Sequence, residues 1–273
     1  MEKTVRQKES WRNLILGLHS LSIFLISYFL LYIISGLSVL YIAYDFDIPA
    51  KLFINTIVFD LPDESPLWTT DAIISILMAT PVSSFITGII ALFVFLVVSK
   101  KNAFLLFFSL WIFLQAFNMT FGLLSENIIS QTGLVRVARE MGIKSIMLLL
   151  TVGMSFFFMV KSGMLAGKLF VAHAEFAENI TFKKKIIKTV VFFILPWLTG
   201  SLILFVITNE TLEAKNIILS IFMLILLVPT LFTATPQRLK PLPFPKKFPF
   251  FLMSLAIMVI FFSVFILKRG FSF

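Results

Sequence analysis

The stretch LWIFLQAFNMTFGLLSEN, residues 110–127, is strongly apolar and carries two side-chain amides near its middle. Trp111, Gln115, Asn118, Gly122 and Glu126 recur in it at steps of four, three, four and four residues. Residues at these spacings share one face of a helix. The stretch therefore predicts a membrane helix with a polar stripe along its surface, and this polar stripe indicates where a polar interior lies.

Composition places the whole chain in a lipid bilayer. Hydrophobic residues make up 59% of the 273 positions, charged residues only 14%, and the mean hydropathy is +1.01. A soluble domain is usually about half apolar and about a quarter charged. The net charge of +9 would suggest nucleic acid for a soluble protein. In a membrane protein basic residues indicate orientation instead, so no nucleic-acid partner is predicted.

Seven apolar segments predict an all-α, polytopic membrane bundle that forms a single transmembrane domain. The first segment is about twice as long as the apolar core of a signal peptide, so we expect it to stay as a helix. Six spans would result if one segment were re-entrant. Gly163 and Gly167 have the spacing that allows close helix approach. The predicted spans are residues 14–43, 72–99, 103–125, 143–165, 189–207, 216–234 and 250–267.

Two hydrophilic regions interrupt the apolar pattern. Residues 45–71 form an acidic loop whose apolar middle predicts a short strand or an interfacial helix. This loop is either a solvated outer loop or a partner-contact surface, and in the second case Asp60, Asp63 and Glu64 are its candidate contact residues. Residues 127–142 are too polar to span the membrane, and they predict an amphipathic helix lying on its surface.

The basic residues predict which side each loop occupies. With a cytoplasmic amino terminus, the cytoplasmic segments hold sixteen basic residues and the outer segments seven, as the positive-inside rule requires. We expect the lysine cluster, Lys183, Lys184, Lys185 and Lys188, to bind anionic lipid headgroups. Small loops, no globular domain and no cysteine favour a bacterial cytoplasmic (inner) membrane.

The second span carries polar residues that are candidates to join the polar stripe. Pro81 cannot donate a backbone hydrogen bond, so it leaves the Leu77 carbonyl without its helical partner and predicts a kink. Nearby hydroxyls on one face could satisfy the freed backbone or line a small polar pocket. The candidate intramembrane site consists of Gln115, Asn118, Thr80, Ser84, Thr87 and Glu126.

No motif commits the chain to catalysis. It has no P-loop, dinucleotide fingerprint, HExxH or nucleophile elbow. The absence of cysteine and the presence of only two histidines argue against a metal site, and no cofactor is predicted.

Two classes of function therefore remain. The first is a non-catalytic structural or accessory subunit that packs against other membrane protein subunits. The second is a permease or channel-like carrier for a small solute, ion or lipid, with the polar stripe lining its path. The first is favoured, because a carrier usually shows charged groups facing a cavity or matched repeats, and the two halves of this chain do not visibly repeat.

Overall fold

The computed structural model describes the backbone of residues 2–98, 102–173, 182–208, 214–233 and 248–273. Regular structure in these residues is almost entirely helical, which confirms the predicted all-α membrane bundle. The α-helices in chain order are α1 (Glu2–Asp45), α2 (Thr70–Val98), α3 (Ala103–Phe117), α4 (Leu123–Ile129), α5 (Leu134–Glu140), α6 (Ser145–His173), α7 (Phe182–Thr189), α8 (Leu195–Thr208), α9 (Ala214–Leu227) and α10 (Phe250–Leu267).

Three of these helices continue into less common helical turns. A π-helical turn, Asn118–Gly122, joins α3 to α4, and a second one, Val190–Ile194, joins α7 to α8. Helix α9 passes into a 3-10 turn, Val228–Phe232, at Pro229, which cannot donate to an α-helical hydrogen-bond ladder. The predicted spans 103–125 and 189–207 are thus helices that each contain a π-helical turn.

Six helical segments of the described chain are long and apolar enough to cross a membrane. They are Glu9–Asp45, Thr70–Val97, Ala103–Ile129, Ser145–Ala172, Lys183–Thr208 and Phe250–Leu267. The predicted span at residues 216–234 corresponds to a shorter apolar stretch, Ile217–Phe232. Counted from Ala214, α9 and its 3-10 turn together extend about 30 Å, which is close to the thickness of a hydrocarbon core.

Helices α1 and α3–α4 form the centre of the bundle. In their apolar windows 61% and 67% of residues are buried, against 17–28% in the other four long segments. The outer helices expose mainly apolar side chains, such as Phe93 on α2, Val206 on α8 and Phe261 on α10. Such surfaces suit lipid, whose tails are as apolar as the side chains themselves.

Aromatic rings fill the space between the central helices. The Trp111 ring meets Phe24 of α1 edge-on at 5.0 Å between centroids. The Phe192 ring, in the second π-helical turn, lies 4.7 Å from Phe107 and 4.4 Å from Phe170 of α6. All five side chains are buried, so this aromatic cluster connects α1, α3, α6 and the second π-helical turn.

Glycines allow two helix pairs to approach closely. A Cβ atom on Gly88 of α2 would lie 2.9 Å from the ring of Phe117. A Cβ atom on Gly163 of α6 would collide with the carbonyl oxygen of Leu226, and one on Gly167 would lie 2.8 Å from the backbone of Thr230. Helix α9 and its 3-10 turn therefore lie directly on the predicted small-residue face of α6.

The first and last helices run side by side in the same direction. At their amino-terminal ends the rings of Trp11 and Phe248 stack at 6.4 Å. Beyond their carboxyl-terminal ends Leu52 and Phe271 exchange two backbone hydrogen bonds of 2.7 and 2.9 Å. The carboxyl terminus therefore lies with residues 50–59, at the end of the bundle opposite to the start of α1.

The acidic loop and the amphipathic segment form one folded cap at that end. Strands β1 (Ala50–Leu52) and β2 (Ile57–Phe59) make an antiparallel hairpin, which is consistent with a strand in the middle of the loop. The surface helix is α5 alone, shorter than predicted, because α4 extends to Ile129. Arg136 of α5 lies 3.8 Å from Asp63 and covers the Trp68 ring at 5.5 Å.

Candidate functional site: the polar stripe of α3 and α4

The polar stripe runs through the most buried helix of the described chain and crosses its π-helical turn. Asn102 caps the start of α3, where its side-chain oxygen accepts hydrogen bonds from the amides of Phe104 and Leu105 at 2.9 and 3.4 Å. The π-helical turn begins at Asn118, one of the two amide residues of the stripe. Such turns are rare inside α-helices and are frequent at functional sites.

Trp111, at the start of the stripe, is held by α1. Its indole Nε1 donates a 2.8 Å hydrogen bond to the hydroxyl of Ser20. The same hydroxyl donates to the carbonyl of Phe192 at 2.5 Å. Trp111 and Ser20 are both fully buried, so this polar chain lies wholly within the bundle and joins three helical segments.

Gln115 also faces α1. Its side-chain Nε2 donates to the Phe24 carbonyl at 3.0 Å, and the Ser27 hydroxyl donates to the same carbonyl at 3.0 Å. The other atom of the amide, Oε1, is buried and has no hydrogen-bond partner in the described chain. Gln115 therefore joins two helices with one half of its amide and leaves an acceptor unused.

Asn118 and Gly122 face α9. The Asn118 Oδ1 atom lies 2.6 Å from the position that a Gly122 Cβ would occupy, so the amide fills the space above this glycine. The Phe222 Cβ lies 3.3 Å from the same position, which places α9 against the π-helical turn. Asn118 Oδ1 is buried and has no hydrogen-bond partner among the described residues.

Glu126, at the end of the stripe, is only 3% exposed. Its Oε2 atom accepts a 3.0 Å hydrogen bond from the side chain of Asn127, whereas Oε1 is buried without a partner in the part of the chain described. The Asn127 Oδ1 atom accepts from the Leu134 amide at 3.3 Å and would lie 2.5 Å from a Cβ on Gly133. Asn127 therefore organises the turn before α5 while it also contacts Glu126.

The candidate residues of α2 do not meet the polar stripe at its amides. Ser84 is fully buried, but its hydroxyl has no hydrogen-bond partner among the described residues. Thr87 donates to the Ser83 carbonyl in its own helix at 2.8 Å. Thr80 is half-buried, and its backbone carbonyl accepts a 3.3 Å hydrogen bond from the Ser83 hydroxyl.

The polar contact between α2 and the π-helical turn is made by a residue that the sequence analysis missed. The Thr120 hydroxyl lies 3.2 Å from the Pro81 carbonyl and 2.9 Å from the Ala116 carbonyl, in donor geometry to both. Gly88 meets Ala116 and Phe117 a little further along α2. The face formed by Ala116 of α3 and Thr120 of the π-helical turn therefore meets α2, while the polar stripe meets α1 and α9.

The buried acceptors left by this packing are the chemically notable feature of the site. A buried polar atom without a partner costs free energy, so an oxygen of this kind would gain from a water or a small cation. The described residues contain no group of three or more His, Cys, Asp or Glu side chains that could hold a metal ion. The buried oxygens without partners in the described chain are Gln115 Oε1, Asn118 Oδ1, Glu126 Oε1 and the hydroxyls of Ser84, Ser125 and Ser130.

The candidate contact residues of the acidic loop are exposed on the cap. Asp60 forms a 2.6 Å ion pair with Lys51 across the hairpin. Asp63 keeps 89% of its side chain exposed beside Arg136, and Glu64 is exposed next to it. The structure therefore gathers these three carboxyl groups on one ordered surface.

The lysine cluster is divided between the surface and the interior. Lys183 and Lys184 are exposed, and Lys184 lies 3.3 Å from Glu9. Lys188 is half-buried. Lys185 was predicted to face lipid headgroups with the other lysines. The residue is only 6% exposed, and its ammonium group donates a hydrogen bond to the Thr233 carbonyl.

No protein-family model matches this chain, and no curated protein or solved structure is significantly similar to it. The site therefore has to be interpreted from its own geometry.

Proposed function

We propose that the protein is a non-catalytic accessory subunit of a membrane protein complex. The observation that carries this proposal is how the polar stripe uses its hydrogen bonds. Trp111 and Gln115 direct theirs to Ser20 and to the Phe24 carbonyl, so they join helices of the chain itself. Side chains with this arrangement stabilise a scaffold.

The cap supplies the surface through which such a subunit would contact its partner. The hairpin is attached to the carboxyl-terminal segment by the Leu52–Phe271 bridge, and the loop that follows the hairpin is attached to α5 by the contacts of Arg136 with Asp63 and Trp68. Asp60, Asp63 and Glu64 are thus presented on an ordered framework, which lowers the entropy that binding would cost. An acidic surface of this kind suits a partner with basic residues near the membrane.

Charge neutralisation tests this contact. The triple variant Asp60→Asn, Asp63→Asn, Glu64→Gln should recover less of the partner when the protein is purified from its native membrane in mild detergent. Folding should survive, because exposed ion pairs such as Lys51–Asp60 contribute only about 0–1 kcal/mol. A matched control, Asp45→Asn with Asp47→Asn and Asp71→Asn, removes the same charge from exposed acids flanking the cap. Equal recovery from both variants would contradict the proposal.

A carrier for a small solute or ion is the second candidate. It is supported by three buried oxygens that have no donor in the described chain, Gln115 Oε1, Asn118 Oδ1 and Glu126 Oε1. Polar groups within a membrane span are costly and often mark a transport path. A carrier would use these acceptors for its substrate, while an accessory subunit would hold water there.

Substitution of the stripe separates the two candidates. If the protein is a carrier, Gln115→Leu and Asn118→Leu should abolish uptake of the transported solute or ion into proteoliposomes, while folding and complex assembly survive. If the stripe only joins helices, assembly and stability should fall together for Gln115→Leu, which loses the bond to Phe24. Normal folding, assembly and activity in both variants would contradict both interpretations of the stripe.

We also propose a bacterial cytoplasmic membrane with the amino terminus in the cytoplasm. This orientation is supported by the sixteen basic residues that it assigns to the cytoplasmic side. It places the cap and the carboxyl terminus outside. The exposed Lys183 and Lys184 then lie at the cytoplasmic surface, where anionic headgroups attract lysines.

A further inference from the structure

The carboxyl-terminal end of α10 presents a groove that combines apolar and basic side chains. Its lining residues follow one face of the helix at steps of three, one, three and one: Phe261, Val264, Phe265, Lys268 and Arg269. Helix α10 packs along α1 and exposes most of its remaining surface, so this groove opens toward the lipid. Its apolar part lies within the span, and its basic part lies just beyond Leu267, where the helix ends.

The two basic residues are held in place by the fold. The Arg269 guanidinium covers the Phe265 ring at 4.5 Å, and the Lys268 amide donates to the Val264 carbonyl at 2.9 Å. The chain then turns at Gly270, which has a φ of +79°, and enters the Leu52–Phe271 bridge. The Arg269 side chain and the backbone of Lys268 are therefore held at the boundary of the membrane and do not lie on a loose tail.

Neither cation is neutralised within the described chain. Lys268 and Arg269 are exposed, and neither forms an ion pair with a residue of the described chain. Two adjacent positive charges above an apolar groove suit an anion that carries an apolar chain. An anionic phospholipid has this combination of groups.

We infer that this groove binds one anionic phospholipid. Its phosphate contacts Lys268 and Arg269, the guanidinium supplying the planar donors that suit phosphate oxygens. One acyl chain lies along Val264 and over the edges of the stacked rings of Phe261 and Phe265. The site is separate from the lysine cluster, because α10 ends on the cap side and Lys184 contacts Glu9 near the start of α1.

Native mass spectrometry tests the inference on the full-length protein. The protein is reconstituted in nanodiscs of equal parts phosphatidylglycerol and phosphatidylcholine, and the lipids retained after release are counted. The wild type should retain one phosphatidylglycerol in preference to phosphatidylcholine. The double variant Lys268→Gln, Arg269→Gln should lose about 30-fold in that preference, the equivalent of about 1 kcal/mol for each cation.

Two matched controls distinguish lipid binding at this groove from the general attraction of cations to anionic lipid. Arg139→Gln with Lys144→Gln removes two other exposed cations near the cap end and should leave the retained lipid unchanged. Phe265→Leu should weaken retention, whereas Phe262→Leu should not, because Phe262 is equally exposed but does not line the groove.

Three results of the lipid measurements would overturn the inference. They are equal retention of the two lipids by the wild type, equal losses from the groove variant and from the control pair of cations, and a Phe265→Leu variant that retains lipid as the wild type does. A protein or peptide retained on this face in place of the lipid would also overturn it, since the groove would then be a protein contact.

Discussion

The indole of Trp111 and the hydroxyl of Ser20, ninety-one residues apart in the chain, are joined by a 2.8 Å hydrogen bond at the centre of the bundle. The same hydroxyl donates a hydrogen bond to the Phe192 carbonyl. Phe192 belongs to the second π-helical turn, so a single serine connects α1 and α3 with the start of the fifth long segment. The polar interaction is surrounded by the aromatic cluster, which excludes water from it.

Ser20→Ala is expected to destabilise the protein. The substitution leaves the Trp111 N–H group and the Phe192 carbonyl without this partner in a buried site, at an expected cost of about 1 kcal/mol. The free energy of unfolding, measured by steric trapping in bicelles, checks this value. Ser38→Ala is the control, because that hydroxyl donates only to the Ile34 carbonyl of its own helix, and we expect a change below about 0.5 kcal/mol. Similar losses in the two variants would contradict the interhelical role of Ser20.

Two glycines of α6 are expected to respond in opposite directions to alanine. At Gly163 a methyl group would collide with the Leu226 carbonyl, so Gly163→Ala should separate α6 from α9 and cost about 1–3 kcal/mol. At Gly153 a Cβ atom meets nothing within 4 Å, so Gly153→Ala should be neutral or stabilise the helix by up to about 1 kcal/mol. The midpoints of thermal unfolding of the two variants, measured in the same detergent, check these values. A stable Gly163→Ala variant would mean that α9 does not lie on this face.

Gly270→Ala is expected to release the carboxyl-terminal segment. Gly270 has a φ of +79°, and a Cβ atom would lie 2.9 Å from the Phe53 ring. Hydrogen exchange at the Leu52 and Phe271 amides should therefore become faster. Gly142→Ala provides the comparison, because its φ is also positive, at +65°, but its Cβ would meet nothing within 4 Å. If Gly270 holds the carboxyl-terminal segment against residues 50–59, only the Gly270 variant should loosen the Leu52–Phe271 bridge.

Single-cysteine labelling is expected to report the orientation of the chain without background, since the protein contains no cysteine. A membrane-impermeant thiol reagent applied to intact cells should label cysteines at Asp63 and Phe273, which lie at the same end of the bundle. It should not label a cysteine at Lys184. The same topology predicts labelling at Glu210 and protection at Lys101 and Lys246, three positions that lie outside the described residues. Labelling at position 184 from outside would reverse the proposed orientation.

The membrane class and most helix positions could be predicted from the sequence because hydropathy is a local property. Each predicted span overlaps a helix, although α1 begins twelve residues before the predicted start at residue 14 and α6 ends eight residues after the predicted end at residue 165. The polar stripe does lie on the most buried helix. The apolar, β-branched middle of the acidic loop left a short strand and an interfacial helix as alternatives, and the structure has strands there. The π-helical turns were not predicted, since the extra residue of such a turn leaves no clear mark in the pattern of apolar residues.

The partners of the polar stripe were decided by the tertiary structure. Local spacing showed that Gln115, Asn118 and Glu126 share a face, and the cost of burying polar groups in hydrocarbon required that this face meet protein or enclosed water. It could not show that Gln115 would meet a backbone carbonyl of α1, or that α2 would meet Thr120 instead. Those contacts depend on how helices distant in sequence rotate and approach, which Gly88, Gly163 and the aromatic cluster determine by steric fit. Hydrophobicity is a property of each residue by itself and can be calculated from the sequence, whereas a hydrogen bond between helices exists only after the helices have packed.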